Sequence, residues 1–542
     1  MNPQVSIAGR GTRLGILVVL LLSLSLNAIP LWWGLPTTGA RTWAFDEIPP
    51  KNTGLDLKSR HRGRYPPLHY ASLRVVYWPV RHLNRAGVLG LGVVQLRTTL
   101  QIVGRMLSVL LATLTIYLVY RIGRLLFDRP RTALLAALSA AFVVPFVFFA
   151  KTINLEAPYV FWFTLSLLFF VRIQQQHRTL DYLAFGAAMA CAVGTKDQAF
   201  ALYVLCPLVL VVDLYRHKRA QQESRSSLVG TLFDPRLIGG ALVAAVLFAL
   251  IHDLVSDWES FVRHLHIITG KASQPSRMFD HTFRGHTEML LLAVRHLAFS
   301  MGWPLVLAAI AGVVLAVRER RNQLLSLLVF PVSYYFFFIA MILYHRVRYF
   351  LPFCIVLAFF AAHALGYLIE QSGRRGRLAR VAVTAILVFT FLRPLSLNQE
   401  MLFDSRYRVE AWAEGQQSEN RVVVIGTHKP RLPRGLSFRS LRKVAADGIT
   451  YLRYQNADFV VVNEAEAFEG RKKVFMEALI GGDLNYQVLF RERFEPWPFL
   501  LERAGLATNL VTVNPTITVL EKVGDWDHLQ TESTVIDSVR RD

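Results

Sequence analysis

Hydrophobic positions in this 542-residue chain form long unbroken runs over residues 1–395 and short alternating runs over residues 396–542. A run of about 20 apolar residues spans the ~30 Å hydrocarbon core of a bilayer as one helix. Eleven such runs are legible: 14–34, 100–120, 131–150, 156–172, 181–195, 198–214, 236–255, 298–316, 324–343, 349–369 and 379–395. The first follows Arg10 and Arg13, as a signal peptide would. It runs too long for one and shows no small-residue cleavage site after Leu26, so it is expected to be retained. In the last 147 residues, RVVVIG (421–426), ADFVVVN (457–463), NYQVLF (485–490) and PTITVLEKV (515–523) read as strands rich in β-branched residues. KKVFMEALI (472–480) reads as a helix between two of them. The pattern predicts a polytopic α-helical membrane protein with about eleven transmembrane helices and a C-terminal soluble α/β domain.

Charge sharpens this picture. The chain carries 60 Lys and Arg against 38 Asp and Glu, a net charge of +22, with a mean hydropathy of +0.35. Such a charge on a soluble protein would suggest a nucleic-acid partner. Residues 1–395, however, hold 41 of the basic and 17 of the acidic residues, while 396–542 hold 19 and 21. The excess therefore belongs to the apolar part, and no nucleic-acid partner is expected. It clusters in short loops: Arg121 to Arg131, Arg172 with Arg178, Arg216 to Arg225, Arg318 to Arg321, and Arg374 to Arg380. Basic loops stay cytoplasmic. The N-terminus is thus expected inside, and an odd number of spans puts 396–542 outside. Long loops at about 35–99 and 256–297 fall on the outer side as well. The expected location is a bacterial cytoplasmic membrane, surrounded by its lipids. Cys191, Cys206 and Cys354 lie in or beside the spans, so neither a disulfide framework nor a metal-type spacing is implied. No Gly-rich phosphate loop accompanies the strands.

Five constellations on the outer side carry possible chemistry. Asp46 and Glu47 are adjacent carboxylates near the membrane surface, suited to general base work or to a solvated turn. Glu156 is the only acid between Asp128 and Asp181, where a helix re-enters the bilayer. An ionisable group at that depth is a functional candidate, although a first-turn Glu also suits the helix dipole. Arg64-Tyr65-Pro66-Pro67 follows a cationic stretch able to grip a lipid phosphate or merely to attract anionic headgroups. Lys196 sits at an outer turn, either on a ligand or as a snorkelling interfacial Lys; Lys151, the other Lys between 59 and 217, faces outward too. His345, Arg346, Arg348 and Tyr349 form a basic cluster against the positive-inside trend, which an anionic ligand or an ion pair with the acids would explain. The histidines of 256–297 have no known ligand spacing, and no metal site is assigned.

Taken in order, these pieces resemble the GT-C membrane glycosyltransferases, in the branch of the protein O-mannosyltransferases and the lipid A aminoarabinose transferase. The resembling segments are TWAFDEIPP (42–50), RYPPLHY (64–70), the Arg105 to Ser108 R-x-x-S pattern, KTINLEAPYVFWF (151–163), AVGTKDQAF (192–200) and RYFLPFCIVLAFFA (348–361). The likeness covers about 1–395, and 396–542 resembles outer domains appended to bacterial members. The resemblance implies a polyprenyl-phosphate sugar as donor. A lipid phosphate leaves as a fixed anion that Arg and Lys can neutralise, so no cofactor is expected, with a divalent metal left open. The resemblance also implies Asp46 as catalytic base beside Glu47, and Glu156 as the second acid. Lys196 and Arg348 match positions associated with the anionic donor. In the family the Pro66-Pro67 element is usually preceded by His or Lys; here Tyr65 stands there, so a phosphate role is not carried onto it. The implied reaction is a single displacement with inversion: Asp46 takes the acceptor proton, and Lys196, Arg346 and Arg348 neutralise the departing lipid phosphate. The accepting group is expected to be a hydroxyl, or an amine or phosphate, and whether it belongs to a protein, lipid or glycan is not indicated. A polytopic transporter or flippase, or a non-catalytic assembly protein, are the competing readings. No internal repeat of the transporter kind is present, and the candidate acids gather at the outer rim.

Overall fold

The structure is a computed structural model. It describes residues 3–35, 42–44, 46–53, 65–221, 227–269, 277–417, 419–426, 430–433, 437–441, 452, 455–464, 471–503, 506 and 508–524. The chain divides into two compact units. The first comprises Met1–Leu31, Ile48–Leu397 and Leu500–Thr508; the second comprises Trp32–Glu47, Asn398–Phe499 and Asn509–Asp542. The stretch Trp32–Glu47, which the sequence reading divides between the end of the first run and the first outer loop, thus groups with the second unit.

The first unit is helical. It begins with α1 (Pro3–Ala28), α2 (Leu68–Arg85), α3 (Val93–Leu126), α4 (Pro130–Ala141), α5 (Val144–Ala150), α6 (Glu156–Gln176) and α7 (Thr179–Thr195). Among the described residues, seven helices are long and apolar enough to cross a membrane, nine if each of two bent pairs counts as one span. Two shorter apolar helices, Thr12–Ala28 and Thr179–Thr195, complete the set, so a helix falls on every one of the eleven expected runs. The bends have local causes. α4 and α5 meet at 68°, where Pro145 opens α5 and disfavours helical geometry before it. Phe283–Met301 and Trp303–Arg318 meet at 111°, where Gly302 takes φ +83° and Pro304 starts the second helix.

Packing between spans relies on small residues, since lipid offers apolar side chains no incentive to leave it. A Cβ on Gly186 of α7 would lie 2.1 Å from the Gly240 carbonyl oxygen of the helix Pro235–Ile251. The two backbones touch there. The carbonyls at the end of α1 need donors. Lys151 Nζ donates to Leu26 O at 2.8 Å and Ile29 O at 2.9 Å, and Arg105 Nη1 donates to Leu31 O at 2.7 Å. Lys151 is 1% exposed and Arg105 is fully buried. Lys151 is therefore a buried helix-end donor and not a snorkelling surface residue.

The second unit holds a five-stranded mixed sheet of order β2-β1-β3-β5-β4. Its strands are β1 (Arg421–Ile425), β2 (Ser437–Leu441), β3 (Phe459–Asn463), β4 (Tyr486–Glu492) and β5 (Ile517–Lys522). β1 runs parallel to β2 and β3, while β5 is antiparallel to β3 and β4. Alternate side chains of a strand face opposite sides. Val422 and Val424 join Val409 and Ala413 of the helix Ser405–Glu414 on one face. Val423 and Ile425 join Phe475, Met476 and Leu479 of the helix Arg471–Gly481 on the other. The result is a three-layer arrangement. The four strands read from the sequence are present; the fifth, SFRSL, has too little β-branched character to announce itself.

Candidate functional site

Three span ends bring the main constellation together in the first unit. Glu156 is the first residue of α6, Lys196 caps the end of α7, and Arg348 lies in the 3-10 turn Val347–Phe350 that leads into the helix Leu351–Ile369. Each position has a local reason. A carboxylate suits the positive N-terminal end of a helix. Lys196 leaves helical geometry at φ −152°, and Pro352 sits at the start of the next helix, where a missing N–H costs nothing.

The geometry is tight. Lys196 Nζ donates to Glu156 Oε1 at 2.7 Å, and Arg348 Nε lies 3.4 Å from the same oxygen. The Glu156 side chain is 1% exposed, against 12% for Lys196 and 17% for Arg348. Two cations thus face one buried carboxylate, leaving a local excess of positive charge. Glu156 Oε2 is buried without a hydrogen-bond partner among the described residues. Aromatic faces complete the surround: Lys196 Nζ is 4.9 Å from the Tyr159 ring centroid and 5.8 Å from that of Tyr349, and Arg348 lies 5.9 Å from Tyr349. Such faces favour cations without neutralising them. Sequence reasoning missed Tyr159, although it stands three residues after Glu156 on the same helical face.

The other sequence candidates lie elsewhere. Arg346 stacks on and donates to Tyr344, whose ring is 6.0 Å from Tyr349. His345 is fully buried, with Nδ1 3.0 Å from His296 Nδ1 and Nε2 2.9 Å from Met289 O. Those contacts tie a loop to the helix Phe283–Met301. Arg64 lies outside the described residues. Tyr65 is 40% exposed, and Pro67 immediately precedes α2. Two residues on, His69 is buried with an unpartnered Nε2, and burial pushes its pKa down to about 4. It is neutral at physiological pH and supplies no replacement cation for Tyr65. Asp46 and Glu47 belong to the second unit. Asp46 is exposed and takes φ +61°, a left-handed conformation that Asp tolerates better than most residues. Thr42 Oγ1 donates to Glu47 across this turn.

Known proteins match in two ways. Residues 92–233 match the family described as dolichyl-phosphate-mannose-protein mannosyltransferase, a segment that includes Glu156, Tyr159 and Lys196. ArnT from Cupriavidus metallidurans in the apo state is similar over 95% of this chain and 98% of its own, with a TM-score of 0.50 and 14% identity. The chain shares its fold with this ArnT. The same ArnT bound to undecaprenyl phosphate is similar at a TM-score of 0.45 and 14% identity, over 93% of this chain and 97% of its own. The Archaeoglobus fulgidus oligosaccharyltransferase AglB, in complex with an inhibitory peptide and a dolichol-phosphate, is similar at 0.46 and 14%, over 87% and 71%. No curated protein sequence matches the chain.

Proposed function

We propose that this protein is an integral-membrane glycosyltransferase that moves a sugar from a polyprenyl-phosphate donor to an acceptor hydroxyl on the outer side of the membrane. The observation that carries the reading is the cluster of Lys196 and Arg348 on the buried Glu156, most of it within the segment matching a lipid-phosphate-sugar-using family. A phosphate leaving group needs fixed positive charge where its own charge develops. Lys196 and Arg348 supply it, with Arg346 nearby in sequence. Glu156 fixes the two cations in place, and its unpartnered oxygen is available to accept from a substrate hydroxyl.

The reaction then balances simply. Asp46 takes the acceptor hydroxyl proton. The acceptor oxygen forms a bond to the anomeric carbon from the face opposite the phosphate. The bond from that carbon to the phosphate oxygen breaks, and its electron pair leaves with the polyprenyl phosphate. One displacement inverts the anomeric centre. A bacterial cytoplasmic membrane with the N-terminus inside fits the basic loops.

Purified protein supplied with a pool of lipid-phosphate sugars and membrane-derived acceptors tests this through release of polyprenyl phosphate. Release that depends on acceptor and falls away in Asp46→Asn supports the reading. Substrate uptake into sealed vesicles with no consumption of lipid-linked sugar overturns it in favour of transport.

A further inference from the structure

Within the second unit, the segment that carries Asp46 is gripped by a buried polar and aromatic cluster. Asp404 caps the helix Ser405–Glu414 by accepting from the Arg406 backbone N at 3.1 Å. The Arg406 side chain reaches the same carboxylate with Nε at 2.8 Å and Nη2 at 2.6 Å. Trp33 Nε1 at 3.0 Å and Asn514 N at 2.8 Å donate to Asp404 Oδ2. Both members of the ion pair are fully buried. The Arg406 guanidinium lies 4.1 Å from the Trp43 ring centroid. A second guanidinium, Arg431, lies 5.4 Å from that ring and is held by Glu410 through contacts of 2.8 and 2.5 Å. Tyr407 packs its ring 4.9 Å from Trp43 and accepts from Gly34 N at 3.1 Å. Gly34 takes φ +69°, and a Cβ there would meet the Trp43 ring at 3.0 Å.

A fully buried ion pair is an expensive way to stabilise a domain, because desolvation offsets its attraction. What it does supply is one fixed geometry for whatever stacks upon it. Here that is Trp43, three residues before Asp46 in a turn closed by the Thr42 to Glu47 hydrogen bond. We infer that Arg406 and Arg431, stacked on Trp43, are positioning residues through which the second unit sets where the Asp46 carboxylate stands. The unit is then part of the catalytic apparatus. This rests on the reading of Asp46 as the general base.

The full-length protein tests it with Trp43→Leu, Trp43→Phe and Arg406→Lys, the last keeping the charge but losing the planar fork. A misplacement of about 1 Å costs on the order of 10²-fold in rate. Trp43→Leu and Arg406→Lys are expected to lower kcat by about that factor with KM for the lipid-phosphate sugar unchanged, and Trp43→Phe to restore part of the loss. In an Asp46→Asn background, Trp43→Leu is expected to cost nothing further, since residues acting as a unit are not additive. An equal loss in that background, or a rise in KM with kcat intact, overturns the proposal. A second measurement is independent of turnover: the labelling rate of Asp46→Cys by a water-soluble maleimide, with and without Trp43→Leu. A severalfold change supports the clamp even if Asp46→Asn proves active and the base assignment fails. An unchanged labelling rate overturns the clamp while leaving the base assignment to the kinetic result.

Discussion

Asp46 is exposed and stands at φ +61°, so its neutral replacement must tolerate a left-handed backbone. Asn does so, which makes Asp46→Asn a test of charge and not of conformation. Losing the proposed general base is expected to lower turnover by about 10²–10⁴-fold, read as polyprenyl phosphate release, with donor affinity retained. Lys196→Met and Arg348→Gln are expected to act on the donor: each should weaken binding of polyprenyl phosphate about tenfold, as loss of a charge-assisted contact does, measured by titration of the purified protein. His69 makes a separate claim. Its folded pKa of about 4 lies below the ordinary 6.5, so the unfolded chain binds the extra proton. The stability that this imidazole permits is complete above pH 6.5 and is lost as pH falls toward about 4, with a slope of at most ~1.4 kcal/mol per pH unit. Thermal unfolding between pH 7 and 5 should therefore fall less steeply in His69→Gln than in the parent.

At the scale of elements, the contact of α7 with the helix Pro235–Ile251 depends on Gly186 and Gly240. A Cβ on Gly240 would lie 2.8 Å from the Tyr182 carbonyl oxygen, so backbone would have to move to admit one. Gly240→Leu is expected to destabilise the bundle by about 1–3 kcal/mol or more, seen as a lower unfolding temperature in detergent. Since Lys196 caps α7, the same variant should also weaken donor binding. The spans themselves were legible because about 20 apolar residues in a row admit few alternatives to a membrane helix. The 68° and 111° bends were less so: Pro145 and Pro304 mark them, but a proline near a helix start is compatible with a straight entry too.

For the whole molecule, the basic loops imply an orientation that labelling can check. The native Cys206 and Cys354 are buried while Cys191 is partly exposed, so the introduced thiols are placed in a Cys191→Ser background. In intact cells a membrane-impermeant maleimide is expected to label Ala411→Cys in the second unit and to spare Arg129→Cys until the cells are opened. The reverse pattern would move the proposed chemistry to the cytoplasmic side. The same scale explains what became of the net charge of +22. Much of it is loop arginine of the kind expected to set topology. Among the other cations, Lys196 and Arg348 meet Glu156, and Arg105 and Lys151 donate to carbonyls at the end of α1.

The sequence by itself determined the helical spans, four of the five strands of the second unit and the residue types at the candidate site, because each rests on local hydropathy or on the chemistry of a single side chain. It left Glu156, Lys196 and Arg348 as three separate points, up to 192 residues apart in the chain. Only the tertiary structure brought them to one oxygen, since which span ends become neighbours is decided by helix packing and not by any run of residues. It likewise decided that Trp32–Glu47 packs with residues from Asn398 onward. Trp43 reads as one more aromatic near a membrane until Arg406, 363 positions later, lies across its face.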